Sequence, residues 1–168
     1  MLKAITPAEF AANPFTAFDR NWSLISAAKP DGSANTMTAS WGALGTVWNC
    51  PAATVYIRES RFTKAFVDSS AYFSVSFPDG ETYRRDMALL GRVSGRDGDK
   101  LAQTSLTFAT FDGVPYIAES KLVLICKKMS ATPVTPDGFC SDEPASNYDG
   151  GDYHTMYIGK VEQILVEE

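Results

Sequence analysis

At 168 residues the chain is long enough for one domain with a real core, and 45% hydrophobic with 21% charged residues is the composition of a soluble globular protein. A formal net charge of −5 with a pI near 4.9 excludes non-specific binding to nucleic acid or an anionic membrane, so any anion site must be a local basic cluster. One histidine and three widely spaced cysteines (Cys50, Cys126, Cys140) leave no basis for a His-rich metal site or a structural zinc, and no metal is expected.

In chain order, Thr6, Pro7 and Glu9 form a helix-start signature, so a helical N-terminal extension is expected over about residues 6–19. "WSLISAA" and "ANTMTASWG" flank the turn signal in "KPDGS" and read as a hairpin. A strand follows at Ala53 to Glu59, then a short helix in "RFTKAFVDSSA" with Thr63 at or near its N-cap, then a strand in "YFSVSF". "DGETYRRDMALLGRV" reads as a helix ending near Gly91, "SGRDGDK" as a turn-rich loop and "DKLAQT" as a short helix. "LTFATFDGVPYI" and "KLVLICKKMSATPV" supply later strands, and "TPDGFCSDEPASNYDGGD" has the composition of a mobile surface loop. "YHTMYIGKVEQILVEE" closes the chain as a long strand with Gly159 as the place for a bend. Short strands joined by hairpin turns, with few helices between them, predict a mainly β chain closed as an antiparallel barrel, one domain over 1–168. The cysteines read as small buried thiols. No stretch approaches the roughly 20 apolar residues of a membrane span, which makes a cytoplasmic protein the expectation.

Two stretches carry chemistry. In "YIRESRFTKAF" a strand ends at Arg58, Arg61 follows, and Thr63 sits where a helix begins. Unpartnered first-turn N–H groups with two forked guanidinium groups and a hydroxyl suit a mononucleotide phosphate; the other reading is a helix cap with surface salt bridges to Glu59 or Asp68. Asn35, Thr36, Met37, Thr38, Ala39, Ser40, Trp41 and Gly42 form a run of small residues that exposes backbone donors and acceptors beside apolar side chains. Such a run can hold the edge of a planar heterocycle such as a flavin, or be a hairpin strand whose tryptophans are core. His154, where a polar loop meets the last strand, is either a group that orients a ring edge or shuttles a proton, or a partly buried hydrogen-bonder. Arg96 and Lys100 lie on a Gly-rich loop that could close over an anion or simply be solvated.

Taken in order, "NTMTASWG", a strand ending "RESRFT", a helix, "YFSVSF", "LLGRVSGRDGDK" and "YHTMYIGKV" resemble the flavin reductase-like, FMN-binding split-barrel family, over about residues 20–166. The resemblance is strongest to its flavoredoxin and NAD(P)H:flavin reductase branches. It implies a split barrel, a homodimer with FMN near the interface, and NAD(P)H as reductant. Electrons would pass to flavin, ferric iron or an acceptor protein; the alternatives are a flavoredoxin-like carrier without NAD(P)H turnover, or a split barrel for a non-flavin ligand. On the same basis Asn35–Gly42 would line the isoalloxazine, Arg58, Arg61 and Thr63 the phosphate, Arg96 and Lys100 the nearby loop, and His154 the flavin and nicotinamide. The run Gly151-Asp152-Tyr153-His154 departs from the Gly-Asp-His of many two-component reductases by one interposed tyrosine.

Overall fold

The computed structural model describes residues 2–168. Its strands are β1 (Leu2–Ile5), β2 (Ser23–Ala28), β3 (Ala34–Ala39), β4 (Gly42–Val47), β5 (Cys50–Arg58), β6 (Tyr72–Pro78), β7 (Phe108–Phe111), β8 (Val114–Ile117), β9 (Ser120–Pro133) and β10 (His154–Glu167). Three α-helices are described: α1 (Pro14–Asp19), α2 (Phe62–Ser69) and α3 (Arg84–Arg92). The main sheet runs β3-β2-β6-β9-β10-β5-β4, with β1 added on β10, and β7-β8 form a separate hairpin.

The fold is the mainly β split barrel expected. No ladder joins β3 to β4, so the hydrogen-bonded path is open there. Yet only Ser40 and Trp41 separate these two strands in the chain, which brings opposite edges of the sheet together and curls it. One core confirms the curl: Ile25 and Ala27 of β2, Met37 and Ala39 of β3, Val55 and Ile57 of β5, Phe73 and Val75 of β6 and Tyr157 of β10 pack as a single buried cluster. Strand alternation puts Ala53, Val55 and Ile57 inside and leaves Thr54, Tyr56 and Arg58 on the other face.

Several elements differ from expectation. The N-terminal segment is not one helix but a 3₁₀ turn at Pro7–Glu9 and the six-residue α1, separated by extended chain. The Thr6 amide and hydroxyl both donate to Glu9 (2.8 and 2.7 Å), but Asn13 and Pro14 restart the helix with their own cap. β1 and β4 were not foreseen. β4 joins β5 through Trp48 and Asn49, both at positive φ (50° and 58°), the two-residue turn whose twist matches a hairpin. Its signal was hidden because Trp48 is an uncommon residue for that conformation. The expected short helix "DKLAQT" is a 3₁₀ turn, Leu101–Gln103. "LTFATFDGVPYI" is a hairpin turning at Asp112 and Gly113. β10 shifts register against β9 between Ile158 and Gly159, where the bend was expected. Cys126 is buried and Cys50 half-buried, whereas Cys140 is exposed in the loop.

Candidate functional site

A cleft of about 240 Å³ opens where the two sheet edges meet, lined by Met37, Thr38, Ala39, Ser40, Trp41, Tyr56, Arg58, Arg61 and His154. Met37 and Ala39 turn their side chains into the core, leaving mainly backbone to the cleft. Thr38 Oγ1 donates to the Met87 carbonyl of α3, and Thr36 is buried against Ser26 and the Ile25 carbonyl. Gly42 is small for a different reason than ligand access: a Cβ there would lie 2.2 Å from the Phe18 ring. Asn35 donates to the Thr63 hydroxyl (2.9 Å), a buried tie between β3 and α2. Asn35 Oδ1 would lie 2.7 Å from a Cβ at Gly95, so the loop after α3 also closes on this corner.

The basic residues converge, each on backbone carbonyls. Arg61 occupies the N-cap position of α2, and Thr63 lies inside the helix. The Arg61 guanidinium reaches the Gly91 and Leu90 carbonyls (2.6 and 3.3 Å), which end α3 without intrahelical donors. Lys100 Nζ donates to the same Leu90 carbonyl at 2.9 Å from a buried position. Burial, then the neighbouring Arg61 charge, push the Lys100 amine down to about 8. Arg96 donates to the Ser60 carbonyl (3.0 Å) and lies over the Phe62 ring. Glu59 and Asp68 pair with Lys64 rather than with the arginines.

The loop after β9 contains short 3₁₀ turns and is tied down at several points, contrary to its mobile composition. Arg58 donates to the carbonyls of Asp152 (2.7 Å) and Asn147 (3.0 Å). The Asp152 carboxylate accepts from the Ser60 amide (3.0 Å) and hydroxyl (2.6 Å) at the entrance to α2. Burial raises the Asp152 carboxyl, but the Ser60 donors and Arg58 outweigh it and hold the group below the usual carboxylate range. Tyr148 stacks with Tyr153 (4.7 Å) and Phe139 (5.8 Å) and sets its hydroxyl 3.0 Å from His154 Nδ1. The His154 ring lies tilted over Trp41, with centroids 4.7 Å apart.

Ser60, Tyr56 and Tyr148 join this site without having been singled out, and Asp152, read only as part of the run Gly151–His154, joins it through its carboxylate. Tyr56 had a signal, since the period of two puts it on the face of Arg58. Tyr148 had none, and the Gly-Asp run that marks Asp152 does not show that the loop folds back onto Ser60. Among the described residues no group of three or more His, Cys, Asp or Glu could hold a metal ion, and no helix is long and apolar enough to cross a membrane.

Comparison with known proteins bears on the whole of this arrangement. The sequence finds no match among curated proteins. In three dimensions it resembles an FMN-binding domain of a flavin reductases-like enzyme from Shewanella baltica OS155, at TM-score 0.70 and 18% identity over 99% of this chain and 77% of the other. Flavoredoxin from Methanosarcina acetivorans superposes at 0.68 and 22% identity, over 88% of this chain and 69% of its own. The styrene monooxygenase flavin reductase of Pseudomonas putida S12 does so at 0.64 and 19%, over 88% and 80%. At these identities the likeness is one of fold. The family model for the flavin reductase like domain matches residues 15–168, which spans the barrel, both sides of the cleft and the loop that covers it. The chain belongs to the flavin reductase like domain family.

Proposed function

We propose that this chain, acting as one domain in the cytoplasm, binds FMN in the cleft and works as an NAD(P)H:flavin oxidoreductase, passing electrons to a second flavin, ferric iron or a protein acceptor. The observation that carries the reading is the Asp152 carboxylate held by the Ser60 amide and hydroxyl beside the cleft. An anion site stands at the start of α2, and the chain fills it with its own acid. A phosphate carries more charge and more acceptor oxygens than a carboxylate, and competes for the same donors. Arg58 and Arg61 line the cleft beside that corner and Arg96 donates to the Ser60 carbonyl, while Thr63 and Lys100 lie buried behind it against Asn35 and the Leu90 carbonyl. The backbone of Met37–Trp41, with Asn35, Thr36 and Gly42 in its run, supplies the edge for a flat ring. When bound, FMN supplies the hydride-accepting chemistry; the protein supplies donors, an aromatic wall and exclusion of water. His154 lies at the ring end of the cleft, near the hydride path.

The working unit is a homodimer. The cleft shares Ser40, Trp41 and Tyr56 with an apolar hollow that is also lined by the exposed Phe15 and Ala43 and the half-buried Leu44. A second copy covering that face would close the cofactor site. A flavoredoxin-like carrier is the second reading, favoured by Tyr148, which packs against His154 where a nicotinamide would enter.

Titration of the purified protein with FMN and with riboflavin, followed by NADH or NADPH without oxygen, tests both. Saturable binding that prefers FMN, then bleaching by a nicotinamide nucleotide, is expected. No flavin binding overturns both readings; binding without bleaching leaves the carrier. Arg61→Ala is expected to weaken FMN by roughly ten- to a hundredfold, the range of one charge-assisted hydrogen bond at ~1.5–3 kcal/mol.

A further inference from the structure

His154 is the single histidine of the chain, and its two ring nitrogens have different surroundings. Nδ1 lies 3.0 Å from the Tyr148 hydroxyl. Nε2 has no partner among the described residues. Among the described residues the only buried side-chain nitrogen or oxygen without a partner is Ser120 Oγ, so Nε2 is not sealed away but open to the cleft that His154 lines. The ring itself is fixed by Trp41 on one side and by the backbone pairing of His154 with Arg58 across the β10–β5 ladder. What remains to be set is where its proton sits.

We infer that Tyr148 is the positioning residue of His154: its hydroxyl donates to Nδ1, so the neutral imidazole carries its proton on Nε2 and offers that N–H to the edge of a planar ring in the cleft. The ring's identity rests on the FMN reading; the position of the proton does not. Three features support the direction of this hydrogen bond. A phenol donates more readily than it accepts, and among the described residues Nδ1 is the only partner of this hydroxyl. Burial raises the Tyr148 phenol above its ordinary range, so the hydroxyl keeps its proton near neutrality. The groups facing the imidazole are Arg58 and Tyr56 from β5, Trp41 before β4, and Tyr148 and Asp152 from the loop. Of these Arg58 disfavours a second proton on the ring and Asp152 favours it, and burial with Arg58 prevails.

The loop is built to hold Tyr148 in place. Its ring is stacked with Tyr153 and Phe139 and has the Arg58 guanidinium 5.4 Å from its centre. Arg58 also grips the backbone on both sides, at Asn147 and Asp152. The chemical consequence concerns the role of His154. With Nδ1 engaged and Nε2–H facing the cleft, the residue is a hydrogen-bond donor, suited to a ring atom that gains negative charge on reduction, and not a base that removes a proton.

Because there is one histidine, the ¹⁵N spectrum of the histidine-labelled full chain reports on His154 alone. At pH 7 a single neutral tautomer is expected, with Nδ1 unprotonated and Nε2 protonated. In Tyr148→Phe the signals should shift towards a mixture of tautomers, and with FMN bound the rate of reduction by NAD(P)H should fall about tenfold, the equivalent of one lost neutral hydrogen bond. A protonated Nδ1 in the wild-type chain, or an unchanged single tautomer in the variant, overturns the assignment. The wild-type spectrum needs no variant, so a poorly folding Tyr148→Phe does not shelter the inference. Failure of the flavin reading would appear separately, as absence of FMN binding with the tautomer intact.

Discussion

Burial, reinforced by the Arg58 charge and opposed by Asp152, pushes the His154 imidazole down to about 4 from an ordinary 6.5. The consequence for stability follows from proton counting. Between pH 6.5 and about 4 the unfolded chain binds a proton at this ring and the folded chain does not, so stability is fully present above that window and falls as the solution is acidified through it. Thermal melts of the wild type and His154→Gln from pH 7.5 to 4 should therefore diverge, the wild type losing melting temperature faster. Parallel curves would mean that the folded ring charges freely. The charges around this residue were legible in the sequence; their partners were not. "RESRFT" shows two arginines near a helix start, but only the packed structure reveals that Arg61 and Lys100 cap the end of α3 and that Arg58 anchors a loop about ninety residues away in the chain. Side-chain targets that distant depend on topology, and no local pattern encodes them.

Elements were read more faithfully than their contacts, because hydrophobic alternation and caps are local properties. β2, β5, β6, β9, β10, α2 and α3 fall where their patterns predict. β4 was missed because "GALGTV" has too few bulky or β-branched residues to look like a strand, and its glycines have unrelated causes. Gly42 makes room for Phe18, whereas a Cβ at Gly45 would meet nothing within 4 Å. At Gly159 the expected bend and the packed structure agree on a reason. A Cβ there would lie 2.7 Å from the buried Phe73 ring and 2.8 Å from Cys126 Cβ, at the register shift that curves β10. Gly159→Ala should cost about 1–3 kcal/mol through overpacking. In a chain of this size that corresponds to a melting temperature lower by roughly 3–10 °C, measured by calorimetry. Gly138→Ala, an exposed position with open space around it, serves as the control and should leave the melting temperature unchanged.

At the scale of the whole molecule, three of the four exposed aromatic residues among those described gather around one sheet edge, Tyr72 at the start of β6 standing apart. Phe15 on α1 is 85% exposed, Trp41 39% and Trp48 58%, and β4 beside them pairs on one side only, with β5. Phe15 and Trp41 line the same apolar hollow of about 420 Å³, which meets the cleft through Ser40, Trp41 and Tyr56. An apolar face of this kind is costly to leave in water and marks a surface for association. If a second copy covers it, dimerisation and cofactor binding are one equilibrium, since the same residues serve both. Phe15→Glu separates the possibilities, and a carboxylate in the first turn of α1 suits the helix dipole, so the fold itself should survive. Sedimentation at micromolar concentration should then show dimerisation at least about tenfold weaker, the effect of losing a buried aromatic anchor. FMN affinity measured on the same samples should fall as the dimer dissociates and recover at high protein concentration. Undiminished FMN affinity in the monomer would mean that Met37–Trp41, Tyr56 and the α2 anion corner form a complete cofactor site within one chain, and that the apolar face serves another partner.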